Sequence, residues 1–132
     1  MLNILLVGIG GFIGSVLRYL VAVKVELLFV DVFFPFGTMV VNITGCFVIG
    51  LISGFSEYVT PISPRIKFFL ITGILGGYTT FSSFGNDTFI LLREKEILFV
   101  ALNTGVQLVV GVIAVWLGYL LSKVISTYLC IH

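Results

Sequence analysis

Charge is scarce in this chain, in which only 10% of the residues are Asp, Glu, Lys or Arg and 59% are hydrophobic. Ordinary soluble domains carry roughly 25% charged and about 45–50% apolar residues. A folded chain of this length exposes a large share of its side chains, and so few polar residues could not cover that surface. The composition therefore excludes a soluble protein, soluble enzymes included, and predicts membrane lipid around most of the chain.

Net charge, histidine and cysteine are scarce as well. Seven Lys and Arg against six Asp and Glu leave a formal charge of +1, which favours no nucleic acid or other polyanion as a partner. The chain has one histidine and two cysteines, Cys46 and Cys130. Their number and spacing fit neither a disulfide framework nor a metal site. The apolar runs and the few polar residues within them therefore carry most of the information.

Four apolar runs are each long enough to cross the roughly 30 Å hydrocarbon core of a bilayer. They cover about residues 3–23, 37–56, 68–91 and 97–122, and short polar segments separate them. The first run lacks a basic segment before it and a small-residue cleavage site after it, so we interpret it as a retained helix rather than a signal peptide. The sequence predicts a single all-α integral membrane domain of four transmembrane helices over residues 1–132.

Lys and Arg are divided evenly between the two sides of this predicted bundle. The loops and helix ends carry Arg65, Lys67 and Lys123 on one side, and Lys24, Arg93 and Lys95 on the other. Orientation in a membrane normally follows an excess of Lys and Arg on the cytoplasmic side. The even division leaves two interpretations open: a small bias that the count misses, or copies that insert in both orientations and pair antiparallel.

The third span contains a segment that disfavours a continuous helix. Residues 76–84 read GGYTTFSSF, with two glycines and four hydroxyl residues in nine positions. A break at membrane depth is tolerated only where the freed backbone lines a cavity or is buried in protein. Freed amides can then bind an anion, and freed carbonyls a cation. Phe81 and Phe84 share a face once the helix resumes, and their positive ring edges can contact an anion.

Small and polar residues recur at helical spacing in the other spans. Glycines four residues apart predict close helix packing, at Gly10/Gly14, Gly50/Gly54 and Gly73/Gly77. In the fourth span one face carries Asn103, Gln107, Gly111, Ala114 and Gly118. Hydrogen bonding between helices is the simplest interpretation of each polar residue on this face.

Three motifs resemble, in order, the signatures of the Fluc-type fluoride channels. They are GGFIGSVLRY at 10–19, GTMVVNITG at 37–45 and GILGGYTTFSSF at 73–84. The resemblance implies a cell-membrane channel that passively exports fluoride from the cytoplasm. It also implies an antiparallel, dual-topology homodimer with two pores, and a structural sodium ion held by backbone carbonyls of the third helix.

The resemblance further implies roles for residues that would line a fluoride pore. By position, Asn42 is similar to the pore asparagine of the second helix. Phe81 and Phe84 are similar to the two phenylalanines whose ring edges contact fluoride. Thr80 and Ser82 are implied as nearby hydroxyl donors.

Outside the pore, the resemblance implies an arginine near the aqueous vestibule, which is Arg18 in this sequence. The carbonyls implied to hold sodium are those of Gly76 and Thr79. Two positions depart from the family pattern, because Asp87 stands where a glutamate is frequent and Gln107 stands where a serine is common. We assign no role to these two residues from the sequence.

Two other functions remain as alternatives. A small dual-topology multidrug/proton antiporter would need an acidic residue buried in a span, and Glu26 lies beyond the predicted end of the first helix. A non-conducting assembly subunit would use the glycine faces alone. Neither alternative explains the GGYTTFSSF segment, so the sequence favours passive conduction.

Overall fold

The computed structural model describes residues 1–59 and 61–131, with the side chains up to residue 128. The side chain of Cys130 therefore lies outside the described part of the chain. All regular secondary structure in this part is helical. The segments are α1 (Leu2–Leu28), α2 (Phe36–Tyr58), α3 (Pro64–Lys67), a π-helical segment (Phe68–Leu75), α4 (Gly76–Tyr78), α5 (Phe81–Arg93) and α6 (Ile97–Ile131).

Among these segments, α1, α2 and α6 are each long and apolar enough to span a membrane. The remaining crossing is divided between residues 64–78 and residues 81–93. The predicted architecture of four helices with a broken third is therefore confirmed. The prediction that the first helix ends before Glu26 is wrong, because α1 continues to Leu28. The last helix also continues past its apolar run, to Ile131. Lysines near these ends do not stop a helix, since their long side chains can reach the aqueous interface.

The break in the third crossing consists of two extended residues. Thr79 has φ −80° and ψ 154°, and Thr80 has φ −149° and ψ 116°. Thr80 is the N-cap of α5, because its Oγ1 accepts a hydrogen bond from the Ser83 backbone N–H at 3.1 Å. The break is therefore shorter than the nine-residue segment that predicted it, since Gly76–Tyr78 remain helical.

A π-helical segment precedes the break and packs along α1. Glycines permit this close approach: a Cβ added at Gly10 would lie 2.7 Å from the Phe69 carbonyl oxygen, and one at Gly14 would overlap that of Ile74. π-helical turns are rare and are found mostly at functional sites. The sequence analysis did not predict this segment.

The helices α2 and α6 pack together along an extensive contact. A Cβ at Gly50 would overlap the carbonyl oxygen of Val115, and a Cβ at Gly118 would overlap that of Phe47. At Gly54 the nearest atom is the Ser122 Cβ, at 2.6 Å. The predicted glycine-mediated packing is confirmed at these positions, and it holds α6 beside α2.

Candidate functional site

A cavity of about 410 Å³ lies beside the break, with walls from α2, the third crossing and α6. Six of the eight site residues singled out from the sequence line it: Asn42, Gly76, Thr79, Thr80, Phe81 and Phe84. Its described walls contain no Asp, Glu, Lys, Arg or His. The structure thus gathers most of the implied residues around an uncharged cavity within the bundle.

Ser82 and Arg18 are not among the residues that line this cavity. Ser82 is exposed on α5, where its hydroxyl lies 3.2 Å from the hydroxyl of Thr80. Arg18 is half-buried on α1. In a single chain, neither side chain contributes to the cavity wall.

Asn42 joins α2 to the break through both ends of its amide. Its Oδ1 accepts a hydrogen bond from the Thr80 N–H at 2.9 Å. Its Nδ2 donates to the Thr80 carbonyl oxygen at 3.2 Å and to Gln107 Oε1 at 2.7 Å. Because an amide nitrogen carries two hydrogens, both are engaged. An anion that takes a donor from Asn42 has to replace one of these two acceptors.

Two backbone carbonyls at the break are left without their helical donors. In a continuous helix the Thr80 N–H would bond to Gly76 and the Ser83 N–H to Thr79. Here Asn42 Oδ1 and the Thr80 side chain accept from these two N–H groups instead. Unwound carbonyls of this kind coordinate Na⁺ in membrane proteins. The carbonyl oxygens of Gly76 and Thr79 therefore fit, as ligands, the sodium ion that the family resemblance implies.

Phe81 and Phe84 form an aromatic pair in the first turn of α5. Their ring centroids lie 5.5 Å apart with an interplanar angle of 44°. Since α5 begins at Phe81, the three-residue spacing places both rings on one face. Phe84 is half-buried, whereas Phe81 is 82% exposed although it lines the cavity. One chain alone therefore leaves the cavity open on the side of Phe81.

The hydroxyl of Thr80 is buried and engaged within α5. It accepts from the Ser83 N–H and donates to Ser83 Oγ, both at 3.1 Å. A hydroxyl carries a single hydrogen, so this group caps α5 rather than donating into the cavity. Ser83 was not singled out from the sequence, although its place three residues after a threonine is typical of an N-cap partner.

The polar face of α6 supplies residues whose roles the sequence did not indicate. Gln107 lines the cavity, and its Nε2 donates to Asn103 Oδ1 at 2.8 Å. Asn103 is fully buried and donates through Nδ2 to Thr88 Oγ1 at 2.9 Å. The four-residue spacing of Asn103 and Gln107 did predict that they share a face. Their partners on other helices could not be read from that spacing.

Asp87 joins α5 to α2 away from this cavity. Its Oδ2 accepts a hydrogen bond from Thr38 Oγ1 at 2.7 Å. Thr38 precedes Asn42 by four residues on α2, so both side chains extend from the same helix face. Asp87 also lines a separate cavity of about 250 Å³ that includes Glu26. The two departures from the family pattern, Asp87 and Gln107, thus both bond to α2.

Comparison with known proteins agrees with this architecture. The profile of the family described as "CrcB-like protein, Camphor Resistance (CrcB)" matches residues 5–119. The "Fluoride-specific ion channel FluC" of Flavobacterium psychrophilum is 43% identical over 123 residues, which cover 93% of this chain and 98% of that protein. The protein of the same name from Chlorobium chlorochromatii is 46% identical over 121 residues, or 92% of each chain. "Fluoride-specific ion channel FluC 3" of Methanosarcina barkeri is 42% identical over 129 residues, or 98% and 96%. The chain therefore belongs to the CrcB/FluC family of fluoride channels.

Proposed function

We propose that this protein is a fluoride-selective channel that passively exports fluoride from the cytoplasm. The observation that carries this proposal is the uncharged cavity at the helix break, lined by Asn42, Phe81 and Phe84. The names of the relatives support the choice of fluoride as the ion. Fluoride then flows down its own concentration gradient, because such a channel does not couple transport to another source of energy.

The chemistry of fluoride explains why such a cavity suits it. Fluoride is small and strongly hydrated, so a pore has to replace its water with several donors. Conduction also requires that each site be weak enough for the ion to leave. Amide N–H groups and the positive edges of aromatic rings supply such contacts without a formal charge. The amides of Asn42 and Gln107 and the rings of Phe81 and Phe84 are the groups of this kind on the cavity wall.

We expect the working unit to be an antiparallel homodimer with two pores. Phe81 is 82% exposed in one chain, and a second copy would cover it and close the cavity. The even division of Lys and Arg between the two sides supports insertion in both orientations. A sodium ion would be held by the free carbonyls of Gly76 and Thr79, whose partial negative charge it would neutralise.

A liposome flux assay tests the ion selectivity. Purified protein is reconstituted into vesicles loaded with potassium fluoride or potassium chloride, and efflux is started with valinomycin and followed with an ion-specific electrode. We expect rapid fluoride efflux and almost no chloride efflux. No fluoride efflux, or equal efflux of the two anions, would refute the proposal. The antiporter alternative instead predicts substrate uptake driven by a pH gradient, without fluoride flux.

Cysteine labelling tests dual topology independently. In a background with Cys46→Ala and Cys130→Ala, a single cysteine is introduced either by Glu94→Cys or by Ser63→Cys. These two positions lie in loops at opposite ends of the bundle. A membrane-impermeant maleimide should label about half of each variant in intact cells if both orientations occur in equal numbers. Full labelling of one variant and none of the other would establish a single orientation.

A further inference from the structure

A chain of side-chain hydrogen bonds connects the cavity to the backbone of α5. Asn42 Nδ2 donates to Gln107 Oε1 at 2.7 Å, and Gln107 Nε2 donates to Asn103 Oδ1 at 2.8 Å. Asn103 Nδ2 then donates to Thr88 Oγ1 at 2.9 Å. Thr88 Oγ1 donates to the Phe84 carbonyl oxygen at 2.7 Å. This amide chain, Asn42–Gln107–Asn103–Thr88, links α2 to α6 and α6 to α5.

Backbone groups at both ends fix the direction of the amide chain. The Thr80 N–H can only donate, so Asn42 turns Oδ1 toward it and Nδ2 toward Gln107. At the other end a carbonyl can only accept, so the Thr88 hydroxyl donates to it and accepts from Asn103. The Oδ1 of Asn103 must then face Gln107, and it accepts a hydrogen bond from Gln107 Nε2.

The same logic fixes the Gln107 amide. With Nε2 committed to Asn103, its Oε1 faces Asn42. If Gln107 flipped, two nitrogens would meet on one side and two oxygens on the other, and both hydrogen bonds would be lost. Each of the three amides therefore has one orientation that satisfies its neighbours, and backbone groups outside the amide chain set that orientation.

We propose that Asn103 and Thr88 are positioning residues for fluoride conduction, which act by holding the Gln107 amide with its oxygen turned to Asn42. The inference rests on the proposed function. Asn103 is fully buried, and neither residue lines the cavity, so both act through Gln107. A Gln107 side chain released from Asn103 can turn its carbonyl oxygen toward the cavity, where it repels an anion.

The sharpest test uses two substitutions of Thr88. Thr88→Val replaces the hydroxyl with a methyl group of similar size and ends the amide chain at Asn103, whereas Thr88→Ser keeps the hydroxyl. In the liposome assay we expect Thr88→Val to lower fluoride efflux about 3–10-fold, the effect of one lost hydrogen bond on a rate. Thr88→Ser should stay within about twofold of the wild type, because its chain of donors is intact.

A double-mutant cycle tests whether Asn103 acts through Gln107. Gln107→Met keeps the length of the side chain but removes both of its hydrogen bonds. If the inference holds, Asn103→Leu slows efflux in the wild-type background and adds nothing in the Gln107→Met background. Independent effects would multiply instead. Size-exclusion chromatography checks that each variant is folded, and the Thr88 pair decides the question if Asn103→Leu aggregates.

The outcomes separate this inference from the proposed function. Fluoride efflux that is unchanged in Thr88→Val, or equally reduced in Thr88→Ser, overturns the positioning role while leaving the wild-type channel intact. Multiplicative losses in the cycle overturn the route through Gln107. Absence of fluoride efflux from the wild-type protein itself refutes the proposed function.

Discussion

Gly118→Ala is a steric test of the α2–α6 contact that positions the cavity. An added Cβ at Gly118 would overlap the carbonyl oxygen of Phe47 and lie 2.9 Å from the backbone nitrogen of Leu51. Both obstacles are backbone atoms, so a side-chain rotation cannot relieve them. Gly105 provides the control on the same helix, because no atom lies within 4 Å of a Cβ added there.

The difference in free energy of unfolding between Gly118→Ala and Gly105→Ala isolates this packing effect. Both substitutions gain helix propensity of about 1 kcal/mol, which cancels in the comparison. Helices pushed apart by about 0.5–1 Å lose roughly a quarter to a half of the dispersion energy at each contact. Overpacking typically costs about 1–3 kcal/mol. We expect Gly118→Ala to be less stable than Gly105→Ala by that amount.

Equilibrium unfolding in mixed micelles with increasing SDS measures the difference. Trp116 is the one tryptophan of the chain and lies on α6 close to Gly118, so its fluorescence reports on this region. Equal unfolding midpoints for the two variants would refute the contact geometry described for α2 and α6. A large loss in Gly105→Ala would instead indicate that a second chain covers its open face.

Three further predictions concern the aromatic pair, the N-cap of α5 and the contact between α5 and α2. Phe81→Ile and Phe84→Ile keep bulk but remove the ring edge, so each should lower fluoride efflux from liposomes about 2–10-fold. Phe89→Ile, on the same helix but outside the cavity, is the control and should leave efflux unchanged. Unchanged efflux in both Phe81→Ile and Phe84→Ile would argue against edge contacts. Thr80→Val removes the N-cap of α5 and should lower the free energy of unfolding by about 0.5–2 kcal/mol; Thr80→Ser, which keeps the cap, should not lower the SDS midpoint. Asp87→Leu removes the acceptor for a hydroxyl of α2 and should cost about 1–3 kcal/mol, whereas an unfolding midpoint equal to that of Asp87→Asn would show that the bond contributes little.

The architecture and the position of the break could be predicted because their signals are local. Apolar runs of sufficient length predict spans, and GGYTTFSSF disfavours a helix wherever it is placed. Glycine spacing likewise predicted the faces on which α2 and α6 meet, because a helix repeats every 3.6 residues. These features depend on residues that are close in sequence.

The remaining features depend on contacts between distant residues. The break is confined to Thr79 and Thr80 because Asn42, on another helix, accepts from the Thr80 N–H. The π-helical segment lies against α1, where Gly10 brings two backbones together. Composition carries no signal for either contact. The bond between Gln107 and Asn42 was hidden for the same reason, because Asn42 lies on α2, 65 residues away in sequence.

The charges of the spans bear on the choice between passive conduction and proton-coupled transport. Glu26 is exposed near the end of α1, and Asp87 is bonded to Thr38. Neither lines the cavity at the break, whose described walls therefore offer no carboxyl group to bind and release a proton in each transport cycle. The uncharged donors on these walls are two amides, of Asn42 and Gln107, and the two ring edges of Phe81 and Phe84. Several weak sites of this kind let an anion enter and leave a pore. The scarcity of charge that makes the chain compatible with lipid thus also leaves the described cavity walls without a charged side chain that would trap an anion.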